Sequence, residues 1–163
     1  MGLLFDFLKG KKPTGDTLSA YAEGTVIPMA EIPDAVFSQG IMGFCCAIEP
    51  ENGKVYAPAD GTVSQTTDTL HAVGLTVEGM ELLIHAGVDT VEMNGAGFTN
   101  AVQEGQSVKK GDLLLTMDLE QVRAAGHGTA VILAVTNSDD FSAVELTASG
   151  RVSVGDGLMN VRK

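Results

Sequence analysis

Glu81-Leu82-Leu83-Ile84-His85-Ala86-Gly87-Val88-Asp89-Thr90-Val91-Glu92 is an apolar run with one histidine at its end, and Gly87 lets the backbone turn just after it. Upstream, Thr69-Leu70-His71-Ala72-Val73 carries a second histidine, and Glu78-Gly79 between the runs is a turn signal. Two strands joined by a tight turn bring the imidazoles together. Side chains on neighbouring strands share a face only when opposite or two residues off opposite. A two-residue turn at Glu78-Gly79 would pair His85 with Ala72 and put His71 on the other face. A three-residue turn, Val77-Glu78-Gly79, pairs His71 directly with His85 and uses Gly79 in the left-handed conformation at its third position. The three-residue turn is therefore expected. Paired imidazoles can bind a metal, do acid–base work or carry a covalent group on nitrogen.

Outward from this stretch, short apolar runs alternate with turn signals. Asn52-Gly53 marks a hairpin, and Pro28, Pro33, Pro50 and Pro58 punctuate strand ends. Strands are expected at 17–21, 25–28, 45–48, 54–57, 61–64, 72–77, 82–85, 113–117, 130–135 and 144–147, with one short helix at 119–125. This is an all-β pattern, a compact antiparallel sandwich or barrel. An internal repeat supports it: Ala22-Glu23-Gly24-Thr25-Val26, Ala59-Asp60-Gly61-Thr62-Val63 and Ala148-Ser149-Gly150-Arg151-Val152 each read as a turn feeding a strand. A second repeat sets Val108-Lys109-Lys110-Gly111-Asp112 against Val152-Ser153-Val154-Gly155-Asp156.

The 163 residues fit one domain, expected at 17–163. Residues 1–16 read as a flexible, amphipathic tail and linker, in which Leu4, Phe7 and Leu8 share a helical face. Such a tail is too short for a stable isolated helix and suits weak contact with a membrane surface. A net charge of −11 argues against nucleic acid and favours a partner with a basic docking face. The two cysteines, Cys45 and Cys46, are adjacent, which disfavours a disulfide and suggests a reducing compartment. With neither a signal peptide nor a membrane-spanning run visible, a cytoplasmic location is expected.

Ile84-His85-Ala86-Gly87-Val88-Asp89-Thr90-Val91-Glu92 resembles the active-site signature of the glucose-type enzyme IIA of the bacterial phosphoenolpyruvate-dependent sugar phosphotransferase system. Further matches run in the same order: Pro33–Phe37, Val55–Val63, Thr69–Ala72, Glu104–Asp112 and Gly150–Asp156. The resemblance covers about residues 17–163. It implies a β-sandwich phosphocarrier in which His85 takes phosphate on Nε2 from the phosphohistidine of HPr and passes it to a cysteine of an enzyme IIB domain. It implies that His71 hydrogen-bonds a phosphoryl oxygen, that Thr69 holds the His71 ring, and that a carbonyl beside Gly87 fixes the His85 tautomer. It also implies an apolar docking depression matched by Val36, Phe37, Met42, Phe44 and Leu83, some of which is expected to be ordinary core. Asp34 and Asp89 match its acidic rim, where an arginine of HPr would meet them.

The resemblance implies no cofactor, although adventitious zinc could bind at His71 and His85. Regulatory partners beyond HPr and enzyme IIB are compatible with it. Three departures stand out: Gly43-Phe44-Cys45 replaces Gly-Asp-Gly, Thr129-Ala130 replaces Thr-Pro, and the hairpin turn is one residue shorter than in the enterobacterial form. His127 reads as a loop residue without a role. The alternative class is a zinc peptidase of similar sandwich outline, but that class carries a His-x-His pair, which this chain lacks.

Overall fold

The computed structural model describes the chain from residue 15 to residue 163, so the expected tail and linker lies outside the described residues except for Gly15 and Asp16, which open the first strand. Fourteen strands follow in chain order: β1 Gly15–Ser19, β2 Gly24–Pro28, β3 Phe44–Pro50, β4 Lys54–Tyr56, β5 Gly61–Thr66, β6 Ala72–Val77 and β7 Met80–Ala86, then β8 Phe98–Asn100, β9 Ser107–Val108, β10 Leu113–Met117, β11 Val131–Val135, β12 Ala143–Leu146, β13 Arg151–Val152 and β14 Gly157–Arg162. Two short α-helices, α1 (Ala35–Ser38) and α2 (Leu119–Ala124), and three 3-10 turns complete the described residues.

One antiparallel sheet has eight strands in the order β9-β5-β6-β7-β11-β3-β2-β13. Two three-stranded sheets, β4-β10-β8 and β12-β14-β1, supply the other layer. The chain is thus an antiparallel β-sandwich, as its strand spacing implied. The core follows from side-chain alternation. In β7, Met80, Leu82, Ile84 and Ala86 are buried, and they join a cluster with Leu114, Leu115 and Met117 of β10 and Met159 and Val161 of β14. The alternate residues of β7, and of its sheet neighbours β11 and β3, face outward. There Cys45, Ala47, Ala130, Ile132 and Ala134 make a second, smaller apolar cluster with Phe37 and Ile32.

The β6–β7 turn corrects the expected register. Val77 pairs with Met80, so the turn has two residues, and His85 lies opposite Ala72. Glu78 and Gly79 both take positive φ, at 44° and 86°. That pair of conformations makes the two-residue turn whose twist matches the flanking strands, and the local twist outweighs the three-residue alternative.

The two turn repeats prove to be halves of one clasp, used twice. Gly24 pairs with Val152, and Gly61 pairs with Val108. Ala20 N donates to Asp156 O at 2.7 Å, and Ala57 N donates to Asp112 O at 2.8 Å. The Asp156 carboxylate accepts from Ser153 N and that of Asp112 from Lys109 N, each at 2.8 Å. Acidic residues of the first repeat complete both: Glu23 accepts from Val154 N, and Asp60 from Lys110 N. Glycine is required at the pairing point, because a Cβ on Gly24 would stand 2.0 Å from Glu49 O and one on Gly61 2.6 Å from Thr76 O. The third copy, Ala148–Val152, is not equivalent: it supplies β13, the strand against which β2 pairs.

The last strand returns to the first. β14 pairs antiparallel with β1, with Arg162 opposite Gly15. The strands at 98–100, 107–108, 151–152 and 157–162 have no counterpart in the expected set. Two of them have only two residues each, too short for an alternating pattern.

Candidate active site

His85 is the penultimate residue of β7, on the outward face with Leu83. On one side Ala72 lies opposite His85, and Gly74 opposite Leu83. On the other side Ile132 pairs with His85, and Ala134 with Leu83.

The chain turns sharply after β7. Gly87 takes φ +86°, and a Cβ there would lie 2.3 Å from Thr90 Cγ2. Gly87 N donates to Ala130 O at 2.9 Å, and Val88 N donates to Gly128 O at 3.0 Å. The Thr90 hydroxyl, fully buried, donates to Ala86 O at 2.6 Å. These bonds aim the Gly87 carbonyl back at the histidine, 2.9 Å from His85 Nδ1. A carbonyl only accepts, so Nδ1 carries the proton and Nε2 keeps its lone pair.

His71 lies one residue ahead of β6, where its carbonyl accepts from Ala86 N at 2.8 Å. Alternation from Ala72 would put it on the opposite face from His85, but the ladder ends there. The two rings meet edge to face, with centroids 4.7 Å apart and planes at 85°. Phe98 borders the other side of His71 at 6.4 Å, and Phe37 packs on His85 at 5.3 Å. Thr69 Oγ1 is 2.8 Å from His71 Nδ1. A hydroxyl both donates and accepts, so this contact suits the tautomer with the ring proton on Nε2 when the hydroxyl donates.

Burial holds both imidazoles neutral. His71 is only 5% exposed. Its pKa is pushed down to about 4, by desolvation first and by the neighbouring His85 second, against a hydrogen bond to the Thr69 backbone. His85 is lowered by desolvation too, opposed by the Gly87 carbonyl and by the negative charges of Asp34 and Asp89.

Asp34 caps α1, its carboxylate accepting from Val36 N at 3.0 Å. Asp89, at φ 60°, begins the 3-10 turn Thr90–Met93. Of the expected apolar set, Phe37, Met42 and Leu83 gather on the outward cluster. Val36 is 44% exposed beside them on α1. Phe44 does not join them: it packs against the main core, because alternation along β3 turns Phe44, Cys46 and Ile48 inward and Cys45 and Ala47 outward. The departure at Cys45 therefore falls on the outward face, where its thiol donates to Phe37 O at 3.1 Å and pins α1 to the sheet. Beside the departure at Ala130, Thr129 Oγ1 donates to the Glu49 carboxylate.

Reading the residues missed the roles of Thr90 and Cys45 in holding the site. Thr90 stood in the signature itself, and its hydroxyl was the only clue. His127 stands 4.0 Å from Glu92 and is partly buried, a position that its flanking glycines did not indicate. The expectation of zinc at His71 and His85 finds no support. Two imidazoles fall short of the usual three protein ligands, and among the described residues no third His, Cys, Asp or Glu joins them.

Comparison with known proteins places this arrangement. Residues 16–141 match the family described as phosphoenolpyruvate-dependent sugar phosphotransferase system, EIIA 1. The chain is 40% identical over 151 residues to a PTS system glucose-specific EIICBA component of Streptococcus pneumoniae, covering 92% of this chain and 21% of that protein. It is 43% identical over 144 residues to a PTS system beta-glucoside-specific EIIBCA component of Dickeya chrysanthemi, covering 88% of this chain and 23% of that one. The chain thus spans less than a quarter of the length of these relatives. Among solved structures, glucose permease IIA from Mycoplasma capricolum superposes with a TM-score of 0.80 at 30% identity, covering 90% of this chain and 95% of that one. The chain belongs to the EIIA 1 family of the sugar phosphotransferase system, and it is a phosphotransferase component of that system. The family indicates no cofactor. Among the described residues no helix is long and apolar enough to cross a membrane.

Proposed function

We propose that His85 is the phosphate carrier, loaded by phospho-HPr and discharged to the cysteine of an enzyme IIB domain. The observation that carries this reading is the Nδ1–H bond from His85 to the Gly87 carbonyl, 2.9 Å long, which commits Nε2 to act as the nucleophile. The depressed pKa keeps that lone pair free at neutral pH. In the loading step the lone pair of Nε2 forms a bond to phosphorus. The phosphorus–nitrogen bond of the donor breaks, and its electron pair returns to the donor imidazole. In the unloading step a thiolate of IIB forms the new bond, and the pair of the broken P–Nε2 bond returns to His85.

His71 is the second actor. With Nδ1 accepting from Thr69, its Nε2–H can donate to a phosphoryl oxygen as charge moves between partners. It does so as a neutral group, leaving the site's net charge unchanged. Val36, Phe37, Met42 and Leu83 form the apolar docking surface, with Asp34 and Asp89 at its rim for a basic partner.

Fusion of relatives to IIB and IIC domains supports IIB as the acceptor. Those relatives bear glucose-specific and beta-glucoside-specific names. We therefore assign sugar choice to the joined domains rather than to this one. The functional domain is taken to begin at β1, since Gly15 and Asp16 already pair with Arg162 and Val161, and to lie in the cytoplasm, with the residues before it as its linker. The test is incubation with phosphoenolpyruvate, enzyme I and HPr, followed by intact mass. One acid-labile phosphate is expected on the wild type and none on His85→Ala. Full labelling of that variant would remove His85 from the role.

A further inference from the structure

We propose that Asn100 is a positioning residue for His71, acting through the backbone of Leu70. The inference rests on the reading of His71 as the second imidazole of the relay.

Four non-glycine residues take positive φ among the described residues: Leu70, Glu78, Asp89 and Asn94. Three have a local reason. Glu78 sits in the two-residue hairpin turn, and Asp and Asn tolerate this region. Leu70, at φ 63°, is aliphatic and has none. Its conformation is what brings its two neighbours together. In an extended strand, residues two apart project along one face about 6–7 Å from each other. With Leu70 turned, Thr69 Oγ1 comes within 2.8 Å of His71 Nδ1.

Two bonds hold Leu70 in that state. Its N–H donates to Thr67 O at 3.0 Å. Its carbonyl accepts from Asn100 Nδ2 at 2.8 Å. Asn100 is the last residue of β8, and Leu115 of β10 pairs with it. The anchor therefore comes from the opposite layer of the sandwich, thirty residues away in sequence. The amide is used on one side only: Asn100 Oδ1 is buried with no hydrogen-bond partner among the described residues. Burying half an amide without a partner is unfavourable. What offsets it is the single bond to Leu70, made at the residue that cannot hold its shape unaided.

The consequence reaches the chemistry through the ring tautomer. If Leu70 relaxes, Thr69 moves off His71 Nδ1, and the proton on Nε2 is no longer enforced. His85, held by Gly87, is untouched by this route.

The test is Asn100→Ala in the full chain. Ring-nitrogen NMR should show His71 moving from one tautomer to a mixture, with the His85 signals unchanged. Phosphate transfer out to enzyme IIB should slow about 10-fold, with loading from phospho-HPr within about 2-fold of wild type. In a His71→Gln background, adding Asn100→Ala should slow transfer no further, since the two act on one path. Unchanged His71 ring signals, or the same slowing in both backgrounds, would overturn the proposal. If His71→Gln alone leaves both rates intact, the relay role of His71 fails, and the ring signals still decide whether Asn100 sets its tautomer. Should Asn100→Ala fail to fold, Asn100→Ser, whose hydroxyl is too short to reach the carbonyl, gives the same readout.

Discussion

The rings of His71 and His85 stand edge to face at 4.7 Å, although the strand partner of His85 is Ala72. The pairing is made by the end of a ladder, not by its register. The two rings are also held differently, His85 by a backbone carbonyl and His71 by a side-chain hydroxyl.

That difference separates their roles in the proposed relay. His71→Gln keeps a donor of similar reach but loses the imidazole. Loading from phospho-HPr should continue at a useful rate, while transfer to enzyme IIB falls by on the order of 10²–10³. Rates measured in both directions check this. Equality with wild type in both would make His71 a bystander.

The buried imidazoles make stability depend on pH. The folded state binds the His71 proton only near pH 4, whereas the unfolded chain takes it near pH 6.5. Between those values the unfolded state holds more protons. The stabilising contribution is therefore complete above pH 6.5 and is lost as pH falls towards 4. His85 shifts in the same direction. Denaturant midpoints should drop from pH 7 to pH 4.5, and the slope should shrink in His71→Gln. An equal slope in that variant would show that other groups set it.

Charge on the rim should govern encounter. Asp34→Asn with Asp89→Asn should slow association with HPr, most clearly at low salt. The first change leaves α1 capped, because asparagine caps about as well as aspartate, so stability should hardly move. Stopped-flow association at two ionic strengths is the measurement. A rate unchanged at low salt would count against the steering role.

Gly87→Ala should damage fold and chemistry together. The new methyl would meet Thr90 Cγ2 at 2.3 Å and Gly128 O at 3.1 Å, at a φ that only glycine holds easily. A loss of roughly 1–3 kcal/mol is expected from denaturation curves. Labelling of His85 should fall as well, because the Gly87 carbonyl moves.

Much of the sandwich was legible in the sequence because its signals are local. Strands 72–77 and 113–117 were found to the residue, each framed by turn residues and filled with aliphatics. The hairpin register was not, since a glutamate at positive φ is a choice made by the twist of the whole ribbon. The site residues came from the Ile84–Glu92 signature and the ordered matches around it, which name the groups but not the faces they occupy. Phe44 shows the limit. One residue of phase in β3 decides between outward face and core, and only the paired strands fix that phase. Asn100 was invisible for a different reason: its partner is thirty residues away, in the bend that leads into β6.

The pairing of Arg162 with Gly15 has a consequence for how such a domain travels in evolution. Polypeptide arriving at β1 and polypeptide leaving β14 attach at a single spot on the surface. Whatever is spliced on at either side tethers the domain without crossing it, so the same unit can be shuffled between gene architectures unchanged. A carrier that must visit a loading partner and then an unloading one gains from being leashed at one point, free to present the same face to each.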